Sequence, residues 1–256
     1  MEKKQKFQVE IKKISNLTTD IVDMWIQSPM IAEDAKAGQF LSLYCKDGSR
    51  ILPRPISICE VDKEKGWLRL VFRIAGKGTE EFSTYKVGDK IEVMGPLGNG
   101  FTKEGSKVIL VGGGIGIPPL LQLAKELTCE KQMVLGYRNG DLFLKEEFEL
   151  LGKVYIATED GSHGTKGNVV DAMKENKLNG DLIFSCGPTP MLRGIKAYAS
   201  ENGIKAQISM EEKMACGIGA CLACVCQSKE RDPHSNVNNK RICKDGPVFY
   251  ADEIEL

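Results

Sequence analysis

The chain has 256 residues, of which 42% are hydrophobic and 27% charged, and its 35 basic residues balance its 35 acidic residues. This is the composition of a globular protein long enough for two domains and a small third one. A net charge of zero argues against nucleic-acid binding, which usually requires a basic excess. No apolar run is long enough to cross a membrane, and no signal peptide is recognisable. We therefore expect a cytoplasmic protein.

Short alternating segments fill residues 1–102. Hydrophobic and polar residues alternate in stretches such as 40–45, 67–74 and 90–94, and glycine, proline, aspartate or lysine separates the stretches. Frequent short strands with regular turn residues are typical of an antiparallel barrel or sandwich. We predict an antiparallel β barrel over residues 1–102.

Strands and helices alternate in residues 103–208. Apolar runs suited to buried strands begin near residues 108, 132, 153 and 181. Helical patterns separate them around residues 144–151, 168–176 and 188–202. This alternation predicts an α/β domain whose parallel sheet is covered by helices on both faces.

The regular pattern ends near residue 209. Glycine and cysteine then dominate, and a polar stretch at 227–241 is expected to be a solvated loop. We predict that residues 209–256 form a small C-terminal domain. The two histidines, His163 and His234, lie in polar surroundings, so we expect both at the surface without a catalytic role.

A candidate flavin motif, Arg-Pro-Ile-Ser at residues 54–57, begins a predicted strand. The forked guanidinium of Arg54 suits the pyrophosphate of a flavin dinucleotide, and Ser57 offers a hydroxyl beside the flavin ring. Farther along, Gly78 and Thr79 lie in a Gly-Lys-Gly-Thr turn whose N–H groups and hydroxyl can contact phosphate. Each motif alone also fits a structural turn, but their order along a predicted barrel favours flavin binding.

A glycine-rich turn follows the first strand of the α/β region. It contains Gly112, Gly113, Gly114 and Gly116, and it leads into a helix near Pro119. Glycine allows the backbone to approach a pyrophosphate, which is then held at the helix N-terminus. The turn lacks the strict G-x-G-x-x-G order, but its place between a buried strand and a helix predicts a nicotinamide dinucleotide site.

Five of the nine cysteines cluster near the C-terminus. Cys216, Cys221 and Cys224 have the spacing C-x4-C-x2-C, and Cys243 follows at a distance. This is the ligand spacing of plant-type [2Fe–2S] centres. Four thiolates also suit structural zinc, but flavin motifs in the same chain favour a redox centre. Cys226 is then a surplus cysteine, which we interpret as a free thiol.

Together these motifs resemble the ferredoxin–NADP reductase superfamily. The flavin and glycine-rich motifs at 54–57, 76–79 and 112–119, together with Met-Glu-Glu-Lys-Met-Ala-Cys-Gly-Ile-Gly-Ala-Cys and Cys-Lys-Asp-Gly-Pro-Val-Phe, resemble the electron transfer subunits of type B dihydroorotate dehydrogenases over the whole chain. The resemblance implies a [2Fe–2S] cluster on the same four cysteines. It also implies that Cys186, in a Cys-Gly-Pro segment, lies by the nicotinamide at the hydride-transfer site. The FAD contacts that it implies are Arg54, Pro55, Ile56, Ser57, Val71, Phe72, Arg73, Gly78 and Thr79.

The resemblance implies a division of labour between two subunits. A catalytic partner would oxidise dihydroorotate on its own FMN, within de novo pyrimidine (UMP) biosynthesis. Electrons would then pass through the cluster and FAD of this chain to NAD+. The implied assembly is a heterotetramer with two copies of each subunit. Arg138 is followed by Asp141, Glu146 and Glu147, so we favour NAD(H) over its phosphorylated form.

Two other functions fit the same motifs. The chain could be the small subunit of a sulfide dehydrogenase or of a ferredoxin–NADP reductase complex, although four thiolate ligands favour the dihydroorotate family. It could also be a redox-sensing binding protein without turnover. Such a protein would bind FAD but would not reduce ferricyanide with NADH.

Overall fold

A six-stranded antiparallel barrel forms the N-terminal part of the protein. The computed structural model describes residues 5–231 and 236–256. The strands of the barrel are β1 (Lys6–Asn16), β2 (Ile21–Gln27), β3 (Phe40–Tyr44), β4 (Arg54–Asp62), β5 (Trp67–Arg73) and β6 (Lys90–Leu97). They pair in the order β1-β2-β5-β4-β3-β6, and β6 pairs with β1 to close the barrel. Helices α1 (Pro29–Asp34) and α2 (Lys77–Ser83) lie in its connections. The predicted barrel is confirmed.

Strand β3 has two buried faces. Leu41 and Leu43 belong to the core inside the barrel, whereas Phe40 belongs to a separate apolar cluster on the outside. Because side chains alternate along a strand, Ser42 lies on the same outer face as Phe40. Ser42 is fully buried, so this part of the barrel wall is covered rather than solvated.

A parallel sheet forms the second part of the protein. Its strands are β7 (Lys107–Gly113), β8 (Glu130–Tyr137), β9 (Lys153–Thr158), β10 (Thr165–Lys166), β11 (Leu182–Cys186) and β12 (Lys205–Ser209). They lie in the order β10-β9-β8-β7-β11-β12, and all are parallel. The predicted parallel sheet is therefore confirmed.

Helices cover both faces of this sheet. They are α3 (Pro119–Glu126), α4 (Lys145–Glu149), α5 (Val169–Glu175) and α6 (Thr189–Asn202). Leu110 of β7 packs in one core with α3 and α4, and its neighbour Ile109 packs in another with α5 and α6. A 3-10 turn at Gly114–Gly116 connects β7 to α3.

The C-terminal segment packs on the barrel and also joins the sheet. It contains the hairpin β13 (Val225–Gln227) and β14 (Asn239–Arg241), the short helix α7 (Ile242–Asp245) and the strand β15 (Val248–Tyr250). Strand β15 pairs antiparallel with β12 and becomes the seventh strand of the sheet. This antiparallel edge was not predicted, because a three-residue strand leaves little pattern in a sequence. The predicted loop at 227–241 instead contributes paired strand residues at both of its ends.

A buried ion cluster around Arg69 joins the barrel to the α/β domain. Arg69 donates two hydrogen bonds to Asp23 at 2.9 and 2.8 Å within the barrel. It donates two more to Glu147 of α4, at 2.6 and 2.9 Å. The guanidinium thus binds carboxylates of both domains, because its Nη1 also lies 3.3 Å from Glu60 of the barrel. Nearby, Lys125 of α3 lies 2.6 Å from Glu60 of β4.

His163 is exposed, as expected, whereas the prediction for His234 lies outside the described residues. Among the residues that the structure does describe, no helix has the length and apolar character needed to span a bilayer.

Replacing Arg69 with methionine should destabilise the protein strongly, because Asp23 would stay buried without its cation. Loss of one partner of a buried pair typically costs about 3–5 kcal/mol, and urea unfolding followed by circular dichroism would measure it. Lys65→Met, which breaks the more exposed pair of Lys65 with Asp62, is the control and should have little effect. Equal losses in both variants would contradict the assigned role of Arg69.

Candidate functional site

The candidate flavin motif lies on β4, next to β3 in the barrel wall. Ser57 pairs with Phe40, and Pro55 pairs with Ser42. Residues directly opposite in an antiparallel pair point to the same face, so these four side chains share the outer surface of the barrel. Ile56 points the other way and packs against the barrel core. A flavin ring beside Ser57 would therefore lie close to the outer face of β3.

Arg54 lies against the first turn of α2. A Cβ atom at Gly78 would overlap the Arg54 side chain, so this contact requires glycine. A cation beside bare backbone suits the pyrophosphate of FAD. The Thr79 hydroxyl accepts hydrogen bonds from the N–H groups of Ala75 at 2.9 Å and Gly76 at 3.2 Å. This hydroxyl therefore orders the turn that precedes α2.

The three implied FAD residues of β5 have different environments. Val71 and Phe72 are buried, and the Phe72 ring packs edge-on against Phe82 with centroids 6.2 Å apart. Their side chains belong to the core, so the backbone is the part that can contact a ligand. Arg73, at the strand end, lies in a cavity wall with Nε 3.0 Å from Oδ2 of Asp20.

A cavity of about 590 Å³ opens between the barrel and the α/β domain. The barrel contributes its β1–β2 turn and the end of β5, and the α/β domain contributes the glycine-rich turn and the carboxyl ends of its strands. Its walls include residues 18–21, Arg73, 113–116, 136–139, Glu159, 167–169, 187–188, Met191 and Glu211. Ligands of parallel sheets usually bind at this end of the strands, so the cavity is the candidate nicotinamide site.

The glycines of the turn have two different roles. Gly114 has φ +53° and lines the cavity, and no other atom would lie within 4 Å of a Cβ there. Its backbone is therefore open to a ligand. The other three face protein atoms: Ile117 near Gly112, the Met191 sulfur near Gly113 and the Cys186 carbonyl near Gly116. Those three allow close packing of strand, turn and helix.

Cys186 lies at the end of β11 but is not part of the cavity surface. Its thiol is buried, and the cavity wall is formed by the adjacent Gly187 and Pro188. Burial raises the pKa of Cys186, the charge of Glu211 adds to the rise, and a hydrogen bond with Ser209 opposes it. The thiol is therefore neutral at physiological pH, and it supports the cavity wall from behind.

Charged side chains line both ends of the cavity. Arg73 and Glu211 lie toward the barrel, and Arg138 and Glu159 lie beyond the ends of β8 and β9. Glu211 is exposed at the cavity surface, where partial desolvation by the surrounding protein atoms raises its pKa and the charge of Arg73 opposes the rise. Sequence patterns did not reveal Asp20 or Glu211 as cavity residues, since only the fold brings them to the glycine-rich turn.

The four candidate cluster ligands gather in one loop and in α7. Cys216 contacts Cys221, and Cys224 contacts Cys243. Within residues 5–231 and 236–256, no three side chains of ligand type converge as a single metal ion would require. The two thiol pairs match a [2Fe–2S] cluster, in which each iron takes two cysteine ligands.

Backbone N–H groups point at the sulfurs of this loop. Ala220 N–H donates to the Cys216 sulfur at 3.2 Å, and Gly219 N–H donates to the Cys243 sulfur at 3.1 Å. Burial raises the pKa of Cys216, but N–H groups led by that of Ile218 outweigh it and lower the pKa to about 6. The Cys216 side of the loop thus favours the thiolate, which is the form that binds iron. Burial and the neighbouring Cys224 thiol instead raise the pKa of Cys243.

The cluster loop covers the outer face of β3. Cys224 and Cys243 share an apolar cluster with Phe40 and Leu97 of the barrel. Gly217, next to the first ligand, lies so close to β3 that a Cβ there would be 2.7 Å from Ser42 Oγ. The candidate cluster and the candidate flavin strand are therefore adjacent.

Cys226 lies outside the ligand group. It pairs with Lys240 in the β13–β14 hairpin, and its thiol is 3.5 Å from the Lys240 carbonyl oxygen. Burial raises its pKa, with smaller opposing contributions from hydrogen bonds. The thiol therefore remains protonated in a structural position.

Family models match three successive parts of the chain. They describe an oxidoreductase FAD-binding domain at 7–101, an oxidoreductase NAD-binding domain at 110–197 and the iron–sulfur cluster binding domain of dihydroorotate dehydrogenase B at 211–255. Dihydroorotate dehydrogenase B (NAD+) electron transfer subunits of Bacillus cereus (strain G9842) and Bacillus anthracis (strain CDC 684 / NRRL 3495) are each 42% identical over 265 aligned residues, covering 100% of both chains. The chain belongs to this family of electron transfer subunits. The predicted FAD, NAD and iron–sulfur cofactors are confirmed at the level of domains.

Solved structures share the fold of these electron transfer subunits. A chain of an NADH-dependent reduced ferredoxin–NADP oxidoreductase, studied for flavin-based electron bifurcation, has a TM-score of 0.87 at 33% identity. The similarity covers 96% of this chain and 89% of that one. A ferredoxin–NADP+ reductase of Neisseria gonorrhoeae with bound FAD and NADP shares the fold at a TM-score of 0.65 and 17% identity, covering 77% and 92%.

Gly78→Ala should weaken FAD binding, because the new methyl group would displace Arg54 from its place beside α2. Loss of a charge-assisted hydrogen bond costs about 1.5–3 kcal/mol, which is roughly a tenfold or greater loss of affinity. Flavin retained per chain after purification would measure it. Gly48→Ala is the control, since its Cβ would meet open space. Full flavin content in Gly78→Ala would contradict the role of this contact.

Cys243→Ser should abolish the [2Fe–2S] cluster, whereas Cys226→Ser should keep it, because Cys226 lies outside the ligand group. Iron, acid-labile sulfide and the electron paramagnetic resonance (EPR) signal of the reduced protein would be measured for both. The unsubstituted protein should contain two irons and two sulfides per chain. Stoichiometric zinc without iron would show that the ligand interpretation is wrong.

Proposed function

We propose that this chain carries electrons between a catalytic dihydroorotate dehydrogenase subunit and NAD+. The observation that supports this most directly is the shared outer face of β3 and β4. The Pro55 and Ser57 side chains of the flavin motif lie there beside Phe40 and Ser42, which the cluster loop covers. A flavin and a cluster held in this way would be neighbours, as electron transfer between them requires.

The residues of the chain have distinct parts in this proposal. Arg54 binds the flavin pyrophosphate, Ser57 contacts the ring edge, and the four cysteines hold the cluster. Gly114 exposes its backbone to the pyrophosphate of NAD(H), and Glu159 offers an acceptor for ribose hydroxyls, which favours NAD over NADP. When bound, the cluster supplies single-electron transfer and FAD supplies hydride exchange with the nicotinamide.

The partner subunit would bind where the cluster loop is apolar and exposed. Leu222, between two candidate ligands, is 61% exposed and has φ 60°, and Ile218 and Val225 are exposed beside it. A leucine held in the left-handed region next to a redox centre suits a docking contact. The partner would carry FMN and oxidise dihydroorotate in de novo pyrimidine (UMP) biosynthesis.

The assembly, location and domain limits complete this proposal. Two copies of each subunit would form a heterotetramer in the cytoplasm. The chain would divide into an FAD-binding barrel at 1–102, an NAD-binding domain at 103–208 and a cluster domain at 209–256. Contact of β15 with β12 would then join the last two domains through one continuous sheet.

A second candidate is the small subunit of a ferredoxin–NADP reductase or sulfide dehydrogenase complex. The 0.87 TM-score to a chain of a ferredoxin–NADP oxidoreductase favours it, because that similarity includes most of this chain. The 42% identity to the dihydroorotate dehydrogenase B subunits favours the first proposal. The partner that co-purifies, and the substrate that reduces the complex, would distinguish the two.

The chain alone should reduce ferricyanide with NADH, and the complex with its natural partner should reduce NAD+ with dihydroorotate. Leu222→Asn should weaken assembly and dihydroorotate-dependent turnover while NADH–ferricyanide activity persists. Asparagine removes the apolar contact and tolerates the left-handed backbone. Leu150→Asn, at an 87% exposed site after α4, is the control. Oxidation of dihydroorotate by the isolated chain would contradict the division of labour.

A further inference from the structure

Ser42 has a buried hydroxyl without a partner. The residue has no exposed surface, and its Oγ makes no hydrogen bond among the residues that the structure describes. Burying a hydroxyl without a hydrogen bond costs about 1–3 kcal/mol in proteins. An apolar residue would avoid this cost in a buried part of a barrel wall. A hydrogen-bond acceptor for the Ser42 hydroxyl would remove this cost.

The surroundings of Ser42 restrict where that acceptor can lie. Across the strand pairs, its neighbours are Pro55 of β4 and Met94 of β6, whose side chains offer no strong acceptor. On the outer side, its Oγ faces the Cα of Gly217, which follows the ligand Cys216. The hydroxyl thus meets the loop that would wrap the cluster.

The backbone of Gly217 is shaped to admit this hydroxyl. The residue has φ +70°, and a Cβ there would lie 2.7 Å from Ser42 Oγ. Any other residue would be strained at this φ and would also push the loop away from β3. Ser42 and Gly217 together allow the Ser42 hydroxyl to approach the sulfurs of the cluster site from the barrel.

We infer that Ser42 donates a hydrogen bond to a sulfur of the [2Fe–2S] cluster at its Cys216 side. This inference rests on the cluster site proposed above and adds a residue from the barrel to it. The reduced cluster carries one more negative charge than the oxidised cluster. An O–H donor therefore stabilises the reduced form more and raises the reduction potential.

This hydrogen bond would lie on the side of the cluster that faces the flavin. Ser42 belongs to β3, which pairs with the candidate flavin strand, so the donor approaches the cluster from the flavin side. Raising the potential of the cluster would favour its acceptance of electrons from either neighbour. Ser42 thus adjusts the reduction potential of the cluster without contacting the substrate.

The experiment compares Ser42→Ala with Ser42→Thr and Ser228→Ala in the full chain. Ser42→Thr keeps the hydroxyl. Ser228→Ala removes an equally buried hydroxyl of the C-terminal segment that already donates to Glu230 at 2.9 Å. Iron and acid-labile sulfide are measured first in every sample. Redox titration then follows the cluster by EPR and the flavin by visible absorbance.

Ser42→Ala should lower the reduction potential of the cluster by up to about 59 mV. This shift corresponds to a tenfold change in the equilibrium constant of a one-electron reduction. Ser42→Thr and Ser228→Ala should stay near the parent value, and the flavin potential should not move. If Ser42→Ala fails to assemble a cluster, Ser42→Gly carries the test, because it also removes the hydroxyl and adds no atom, and an unchanged cluster potential there would overturn the inference.

Three results would count against this role of Ser42. An unchanged cluster potential in Ser42→Ala with full iron content would overturn the hydrogen bond to the cluster. A shift that appears in the flavin alone, or equally in Ser228→Ala, would do the same. Absence of iron and sulfide from the parent chain would instead overturn the cluster site itself.

Discussion

The register between β3 and β4 is the constraint on which the rest of the site depends. It places Ser57 opposite Phe40 and Pro55 opposite Ser42, so that the flavin motif and the face covered by the cluster loop become one surface. A shift of one residue would turn every side chain of β3 to the other face. Leu41 and Leu43 prevent this, because they would lose their places in the barrel core.

The C-terminal segment is held by contacts with both domains. Asn99, just after the barrel, donates a hydrogen bond from its backbone N–H to the Gly246 carbonyl at 2.6 Å. Its side-chain amide donates another to the backbone carbonyl of Asp245 at 3.0 Å. Strand β15 pairs with β12 of the parallel sheet. Arg69 independently binds the barrel to α4. The three parts are thus fixed relative to one another, which is what short electron-transfer distances require.

Local chemistry made much of this site predictable from the sequence. The spacing of Cys216, Cys221 and Cys224 fits a single loop, and glycines after a buried strand point to a dinucleotide, because each pattern depends on residues close together in the chain. Features that depend on distant residues were not predictable. Asp20 and Glu211 reach the same cavity only through the fold, and nothing around Ser42 in the sequence indicates that Gly217 will cover it.

The four glycines of the turn have different surroundings. All four are predicted to serve the nucleotide, and Gly113, Gly114 and Gly116 line the cavity, while Gly112, Gly113 and Gly116 also pack against protein atoms. Gly116 packs on the Cys186 backbone and so brings the turn against β11. That packing leaves Gly114 as the member of the four whose Cβ position is open. The turn therefore combines three close packing contacts with one exposed backbone position, and the packing is what keeps that position facing the cavity.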